Sequence, residues 1–254
     1  MTELFSFFAE MLFARGINLV GITGGGGKTS FMYGVGRTCG KSHRVLLTTT
    51  TKIKRPLSTE CCDLFIGPAE DCAAQLRAMP AATVLTAAAC ERNGKLIGYL
   101  PEEAEKLSLC GAVDIVVAEC DGSRGRSVKF YEPWEPPVPR ASGCVFAVAG
   151  VDVLGKNAEE DYVFRAEKFR QLFGLSEDSV ITADVFISYL RHKNEPLRNV
   201  PYGAMRVLLL NKFECAGEKT RRDLLAMTQA LLETYDAVAF VSMRSGILYE
   251  YAAR

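Results

Sequence analysis

The consecutive residues Gly21-Ile22-Thr23-Gly24-Gly25-Gly26-Gly27-Lys28-Thr29-Ser30 have the types and the order that hold a phosphate. Gripping an anion with backbone N–H groups requires a chain that curls inward with no Cβ in the way, and Gly24, Gly25, Gly26 and Gly27 meet that requirement while permitting positive φ. Lys28 can then reach terminal phosphates, and the Thr29 hydroxyl can join the coordination shell of a Mg²⁺ ion. Ser30 continues into a helix-compatible stretch whose unpaired N–H groups and positive dipole end add to the attraction. A nucleoside triphosphate, ATP or GTP, with Mg²⁺ is the expected ligand.

The spacing departs from the strict P-loop pattern G-x-x-x-x-G-K-[ST], because Ile22 stands six before Lys28 and Gly21 comes one residue too early. A dinucleotide fingerprint fits less well. After Gly25-x-Gly27 its third glycine is replaced by Ser30, and a lysine in the loop suits a free triphosphate better than a pyrophosphate bridge.

A second constellation is Asp114-Ile115-Val116-Val117-Ala118-Glu119-Cys120-Asp121-Gly122-Ser123, an apolar strand that ends in carboxylates. Side chains two apart on a strand share a face, so Glu119 and Asp121 are expected together at the mouth of a sheet, where they can hold the metal with Thr29 and orient an attacking group. Arg124, Arg126 and Lys129 follow. All three cations are within reach of the same mouth, where they can stabilise transferring phosphoryl charge or bind an anionic second substrate, and Arg124 is expected in the catalytic set with Lys28, Glu119 and Asp121. The Thr48-Thr49-Thr50-Thr51-Lys52 run ends another strand, with Lys52 a candidate phosphate contact. Asn211-Lys212-Phe213-Glu214 resembles the N-K-x-D base reader of GTPases with Glu in the acid's place, which makes Asn211 and Lys212 candidate nucleotide contacts.

The elements that must position these groups alternate. Apolar, β-branched runs at 17–22, 45–50, 63–67, 83–87, 114–118, 144–149, 206–210 and 237–241 predict strands, several of them continuous enough to be buried on both faces. Helices are predicted between them at 28–40, 69–79, 101–110, 159–173, 182–191 and 217–233. The expected fold is α/β: a three-layer, P-loop NTPase-like, doubly wound and mostly parallel sheet, in one domain over 1–254. An amphipathic helix over 2–14 should dock on it, and the proline-rich stretch 132–139 should be an extended loop at a domain junction or beside the active site.

Composition narrows the classes. The chain has 254 residues, 48% of them hydrophobic, with 30 basic against 30 acidic side chains, so a full core is affordable and no nucleic-acid partner is expected. No apolar stretch approaches the roughly 20 residues that span a bilayer, and Glu3 and Glu10 stand where a signal peptide wants lysines, so a cytoplasmic protein without membrane attachment is expected. Nine cysteines without a C-x-x-C pair argue against structural zinc, and the adjacent Cys61-Cys62 is the place to look for reactivity.

Taken in order, G-I-T-G-G-G-G-K-T-S, T-T-T-T-K, A-E-C-D-G-S followed by Lys129 and E-P-P-V-P, V-F-R-A-E with Arg165 and Glu167, and L-L-N-K-F-E resemble the YqeC family. That resemblance implies P-loop nucleotide binding, and a role as accessory to a selenium-dependent molybdenum hydroxylase or its maturation factors. The glycine loop is also similar to the G-T-N-G-K-T loop of Mur-type ligases. Three activities follow: an NTPase driving hydroxylase maturation, a ligase-like or kinase-like phosphoryl transfer to a small acid, and a nucleotide-gated cofactor-delivery protein with little turnover.

Overall fold

A computed structural model describes residues 2–56 and 63–254. Cys61 and Cys62 lie outside the described residues. The chain opens with β1 (Thr2–Glu3), α1 (Leu4–Ala14), β2 (Leu19–Gly24), α2 (Lys28–Cys39), β3 (Arg44–Thr49) and β4 (Lys52–Lys54). It continues through β5 (Asp63–Ile66), α3 (Ala69–Ala78), β6 (Thr83–Ala88), β7 (Cys90–Arg92), β8 (Lys95–Ile97), α4 (Pro101–Leu109), β9 (Ile115–Glu119) and β10 (Val128–Lys129). The remainder is β11 (Cys144–Gly150), β12 (Val163–Phe164), α5 (Ala166–Phe173), α6 (Ala183–Leu190), β13 (Met205–Asn211), α7 (Glu218–Ala226), α8 (Thr228–Leu232), β14 (Ala237–Ser242) and β15 (Ile247–Ala253).

Ten strands form one sheet in the order β1-β15-β14-β13-β11-β2-β9-β3-β6-β5. Neighbours from β5 to β14 run parallel, whereas β15 and β1 add an antiparallel edge. The expected α/β, mostly parallel architecture is therefore present. Parallel strands need covered faces, and alternate residues supply both covers. Val20, Ile22, Phe146, Val148, Val207 and Leu209 pack toward α1 and α2. Leu19, Leu46, Leu85 and Val116 pack beneath α3 and α4, while Ala147, Leu208, Leu210 and Phe240 meet α5 to α8. Among the described residues no helix is long and apolar enough to cross a membrane.

The order places β2 between β9 and β11. From β2 the chain crosses to β3, on the β9 side; after β9 it re-enters the sheet as β11 on the other side. Such a reversal opens a crevice at the carboxyl ends of the strands, because the two connections leave in opposite directions. Gly24 ends β2 there, Glu119 ends β9 and Gly150 ends β11.

Several elements differ from the sequence expectation. The helix predicted over 159–173 begins only at Ala166, because Arg165 is left-handed at φ 66° and Val163–Phe164 pairs with β10 instead. The helix predicted over 217–233 is interrupted at Met227. The β4-β8-β7 sheet was not predicted, although its turn is an Asn93-Gly94 pair with φ of 52° and 67°, as a two-residue hairpin requires. The N-terminal helix is present as Leu4–Ala14, with Leu4, Phe8 and Leu12 buried against the sheet. Phe8 stands edge-on to Phe31 and Phe146, with centroids 5.7 and 5.2 Å away.

Phe8→Ala should therefore destabilise the fold by about 3–5 kcal/mol, since it empties a fully buried ring site that α1 cannot collapse into without leaving the sheet. A denaturant midpoint unchanged from the parent would show that α1 is dispensable packing.

Candidate active site

The glycine loop is built where side chains cannot go. Gly24, Gly26 and Gly27 have φ of 96°, 76° and 140°. A Cβ on Gly24 would run into the Val148 carbonyl oxygen, and one on Gly25 would lie 2.5 Å from the Arg126 carbonyl oxygen. The chain thus passes through a slot between the end of β11 and the Arg126–Ser127 segment. Gly25 N–H donates to the Val148 carbonyl at 2.8 Å, and Gly24 N–H donates to Asp121 Oδ2 at 2.8 Å. Helix α2 begins at once at Lys28, and its first-turn amides have no intrahelical partners.

Lys28 is buried in its own loop. Its Nζ donates to the Gly24 carbonyl at 2.7 Å and to Ser123 Oγ at 3.3 Å, and lies 2.9 Å from Asp121 Oδ1 and 3.8 Å from Glu119 Oε1. Burial works against the ammonium, but the Asp121 and Glu119 carboxylates outweigh it and hold Lys28 above the ordinary lysine value. Thr29 Oγ1 donates to Glu119 Oε2 at 2.6 Å. Burial raises the Glu119 carboxyl above its usual value, against the pull of Lys28 and Thr29. Loop lysine, loop threonine and strand-end carboxylates are therefore brought to one point.

The two acids divide the work differently from the sequence expectation. Glu119 pairs with Thr29, the arrangement expected of metal holders. Asp121 is committed to the chain: Oδ2 accepts Gly24 N–H and the Tyr131 hydroxyl, at 2.7 Å for the latter, while Oδ1 faces Lys28. Its geometry is that of a latch on the loop rather than of a ligand waiting for an ion.

The cation nearest Asp121 after Lys28 is Lys129, not Arg124. Lys129 is fully buried, 3.9 Å from Asp121 Oδ2, with Nζ donating to the Gly122 carbonyl at 2.9 Å and to Glu135 Oε1 at 3.3 Å. Burial lowers its pKa despite Asp121 and Glu135. Arg124 is exposed at φ 50°, stacked over the Phe164 ring at 5.3 Å, and Arg126 turns toward Glu160 and Asp161. Glu135 also receives Arg165 at 2.6 Å, and Glu132 pairs with Arg165 and Lys168, so the proline-rich loop is clamped beside the crevice. Its other side is tied by Thr50 Oγ1 donating to the Pro137 carbonyl at 2.7 Å.

Asn211 does touch the loop, but as a brace. Its Nδ2 donates to the Gly26 carbonyl at 2.5 Å and its Oδ1 accepts Met243 N–H at 2.9 Å, so both ends of the carboxamide are engaged by backbone. Lys212 donates to Ser127 Oγ and pairs with Asp152, each at 2.7 Å, closing the slot that holds Gly25 and Gly26. Ser30 is exposed in the first turn of α2, and Lys52 is exposed at the start of β4. Tyr131 was not singled out in sequence, although it stands two residues after Lys129, the spacing that puts both on one side of an extended chain. Glu195, also missed, is fully buried and accepts Tyr131 N–H at 3.1 Å, with Arg198 at 3.3 Å.

Residues 20–167 match the family model described as YqeC protein. The chain belongs to the YqeC family. It is 30% identical over 218 residues to the protein of Escherichia coli (strain K12) named Uncharacterized protein YqeC, an alignment spanning 83% of this chain and 82% of that one. No solved structure matches the chain. The matched YqeC segment contains the loop, Glu119, Asp121, Lys129, Tyr131, Glu135 and Arg165, whereas Glu195 and Asn211 lie beyond it.

Asp121→Asn should destabilise the fold by about 3 kcal/mol, because Lys28 is left buried with only the more distant Glu119 for charge. Adding Lys28→Met should recover most of the loss in chemical denaturation; a double variant no better than the single one would mean that the ion pair is not what Asp121 contributes. Glu195 yields a pH test. Burial pushes its carboxyl from 4.5 to about 8, against Arg198 and the Tyr131 N–H. The folded chain thus keeps a proton that the unfolded chain has released, and this contribution is complete below 4.5 and lost as pH rises through about 8. Glu195→Gln should flatten stability across that window. The same pH slope in parent and variant would rule Glu195 out as its source.

Proposed function

We propose that this YqeC protein binds ATP or GTP with Mg²⁺ in the Gly24–Ser30 loop and hydrolyses it, and that this turnover assists maturation of a selenium-dependent molybdenum hydroxylase. The observation that carries the nucleotide reading is the convergence of Lys28, Thr29 and Glu119 at the carboxyl ends of β2 and β9, beneath a loop whose glycines admit no Cβ. The residues fit the groups. The Gly26 and Gly27 region and the first-turn amides of α2 would hold phosphate oxygens, and Thr29 with Glu119 would hold Mg²⁺. When bound, Mg²⁺ supplies charge neutralisation on those oxygens.

The chain's own residues do the rest. Asp121 fixes the loop through Gly24 N–H and, with Glu119, holds a charged Lys28 at the point where terminal phosphates belong. Tyr131 and Lys129 set the orientation of Asp121 from the other side. The proline-rich loop is held beside the crevice by Arg165, Lys168 and Thr50. A ligase-like transfer to a small acid calls for free cations there, and Lys129, Arg165 and Lys168 are instead matched to Glu135 and Glu132. The hydroxylase pathway is carried over from the family resemblance, and the nucleotide site does not depend on it.

Calorimetric titration of Lys28→Ala should show a loss of about 2–4 kcal/mol in triphosphate affinity, as for a charge-assisted contact in a partly desolvated site. Equal affinity in parent and variant would remove the loop as the phosphate site. In a strain lacking the protein, the selenium-dependent hydroxylase should lose activity while selenium-free molybdenum enzymes keep theirs, and the Lys28→Ala copy should not restore it. Undiminished hydroxylase activity in that strain would sink the pathway and leave the nucleotide site standing.

A further inference from the structure

A large cavity lies at the opposite end of the sheet from the glycine loop. It encloses about 1140 Å³ around the amino ends of β2, β11, β13 and β14, lined by Arg15 to Asn18, Gly143, Met205, Arg206 and Asp236 among others. Those strands carry Gly24, Gly150, Asn211 and Ser242 at their other ends. Six or seven residues of strand separate the two regions by about 20 Å, so a molecule in the cavity leaves the crevice free.

Its charge is one-sided. The lining holds the cations Arg15, Lys193, Arg206 and Arg254 against the single acid Asp236, in a chain whose formal net charge is zero. Asp236 is already consumed, with Arg206 at 2.9 Å and Arg254 at 3.2 Å. Arg15 and Lys193 are exposed and form no ion pair with the described residues. The His192 imidazole, in the same wall, is held below its ordinary value by burial first, with Lys193 and Arg198 adding to the effect.

Volume and rim favour one kind of occupant. Small-molecule pockets run to about 1,000 Å³ at most, and this cavity is larger. Its rim presents Tyr202, wholly exposed, beside Arg15, Met205 and Arg206, the residue types that protein interfaces concentrate at their centres. Ile17, Leu197 and Val200 supply an apolar floor.

We propose that this basic cavity is a docking site for an acidic polypeptide segment of a partner protein, occupied independently of the nucleotide site. Arg15 and Lys193 attract the carboxylates, Tyr202 packs on the segment's side chains, and the Arg206–Asp236–Arg254 group keeps the wall rigid.

Fluorescence anisotropy with a short labelled poly-glutamate peptide tests this. The parent should bind it with an affinity that falls steeply with salt. Arg15→Glu with Lys193→Glu should weaken binding by at least about tenfold, and Tyr202→Ala should weaken it at high salt, where charge contributes little. Lys41→Glu with Lys219→Glu, which changes net charge equally on exposed surface elsewhere, should leave it near the parent value. Absent binding, or equal loss in the two double variants, overturns the site. Competition by citrate as effective as that by the peptide overturns the polypeptide occupant in favour of a small anion. Fluorescent ATP analogue binding should be unchanged in Arg15→Glu with Lys193→Glu, which separates failure here from failure of the nucleotide proposal; a parallel loss of both ligands overturns the claimed independence.

Discussion

A buried lysine next to a buried aspartate is the constraint on which the active end of this molecule depends. Neither Lys28 nor Asp121 could be charged at that depth alone, because desolvation costs several kcal/mol per ion. Asp121 offsets it by gathering partners from three parts of the chain: Gly24 N–H from the loop, the Lys28 ammonium from α2, and from the segment after β9 the Tyr131 hydroxyl, with the charge of Lys129 at 3.9 Å. A single carboxylate thereby ties the glycine loop to the strand beside it and to the proline-rich loop's base. Loss of its charge disturbs all three, whereas loss of Glu119's leaves the loop latched.

This division of labour also explains what was legible in sequence. That Gly24 to Thr29, Glu119 and Asp121 come together could be read because the pattern is local: carboxylates at a strand end alone suggest an ordinary turn, and the glycine run before a helix is what sets them apart. Their roles were less legible, since nothing in E-C-D tells which acid faces Thr29 and which faces the loop. That depends on Tyr131, ten residues further on, and Tyr131 in turn rests on Glu195 through an approach no spacing announces. Arg124, not Lys129, was expected in the catalytic set, although the sequence puts both within reach of the mouth. The turn at Arg124 and Gly125, with φ of 50° and 80°, sends the first cation to the surface and returns the later one to the interior.

The fold was legible to the same depth. Apolar runs identified the eight parallel strands of the ten-stranded sheet, most of them because burial on both faces leaves no alternative composition, whereas β5 at the edge is only partly buried. The short pieces were missed for the opposite reason. β10 and β12 have two residues each, and their pairing is set by Arg165 in a left-handed turn that carries no glycine or asparagine to signal it. That strained residue places its guanidinium on Glu135, Glu132 and the Phe130 carbonyl, so the departure from helical pattern at 159–165 has a positional purpose.

The pre-engaged state of Lys28 bears on how a phosphate would be received. A lysine free in solvent offers a nucleotide its full charge but must first be ordered. Here the ammonium is already ordered, and the Gly24 carbonyl, Ser123 and Asp121 hold it. Triphosphate binding of the kind proposed would exchange one set of charge-assisted contacts for another, so its affinity would come from the difference between them rather than from the whole of either. Because Asp121 retains Tyr131, Lys129 and Gly24 N–H after such an exchange, its carboxylate is not orphaned when Lys28 turns outward. The cost of releasing the lysine is kept small by the same side chains that make the aspartate look over-supplied.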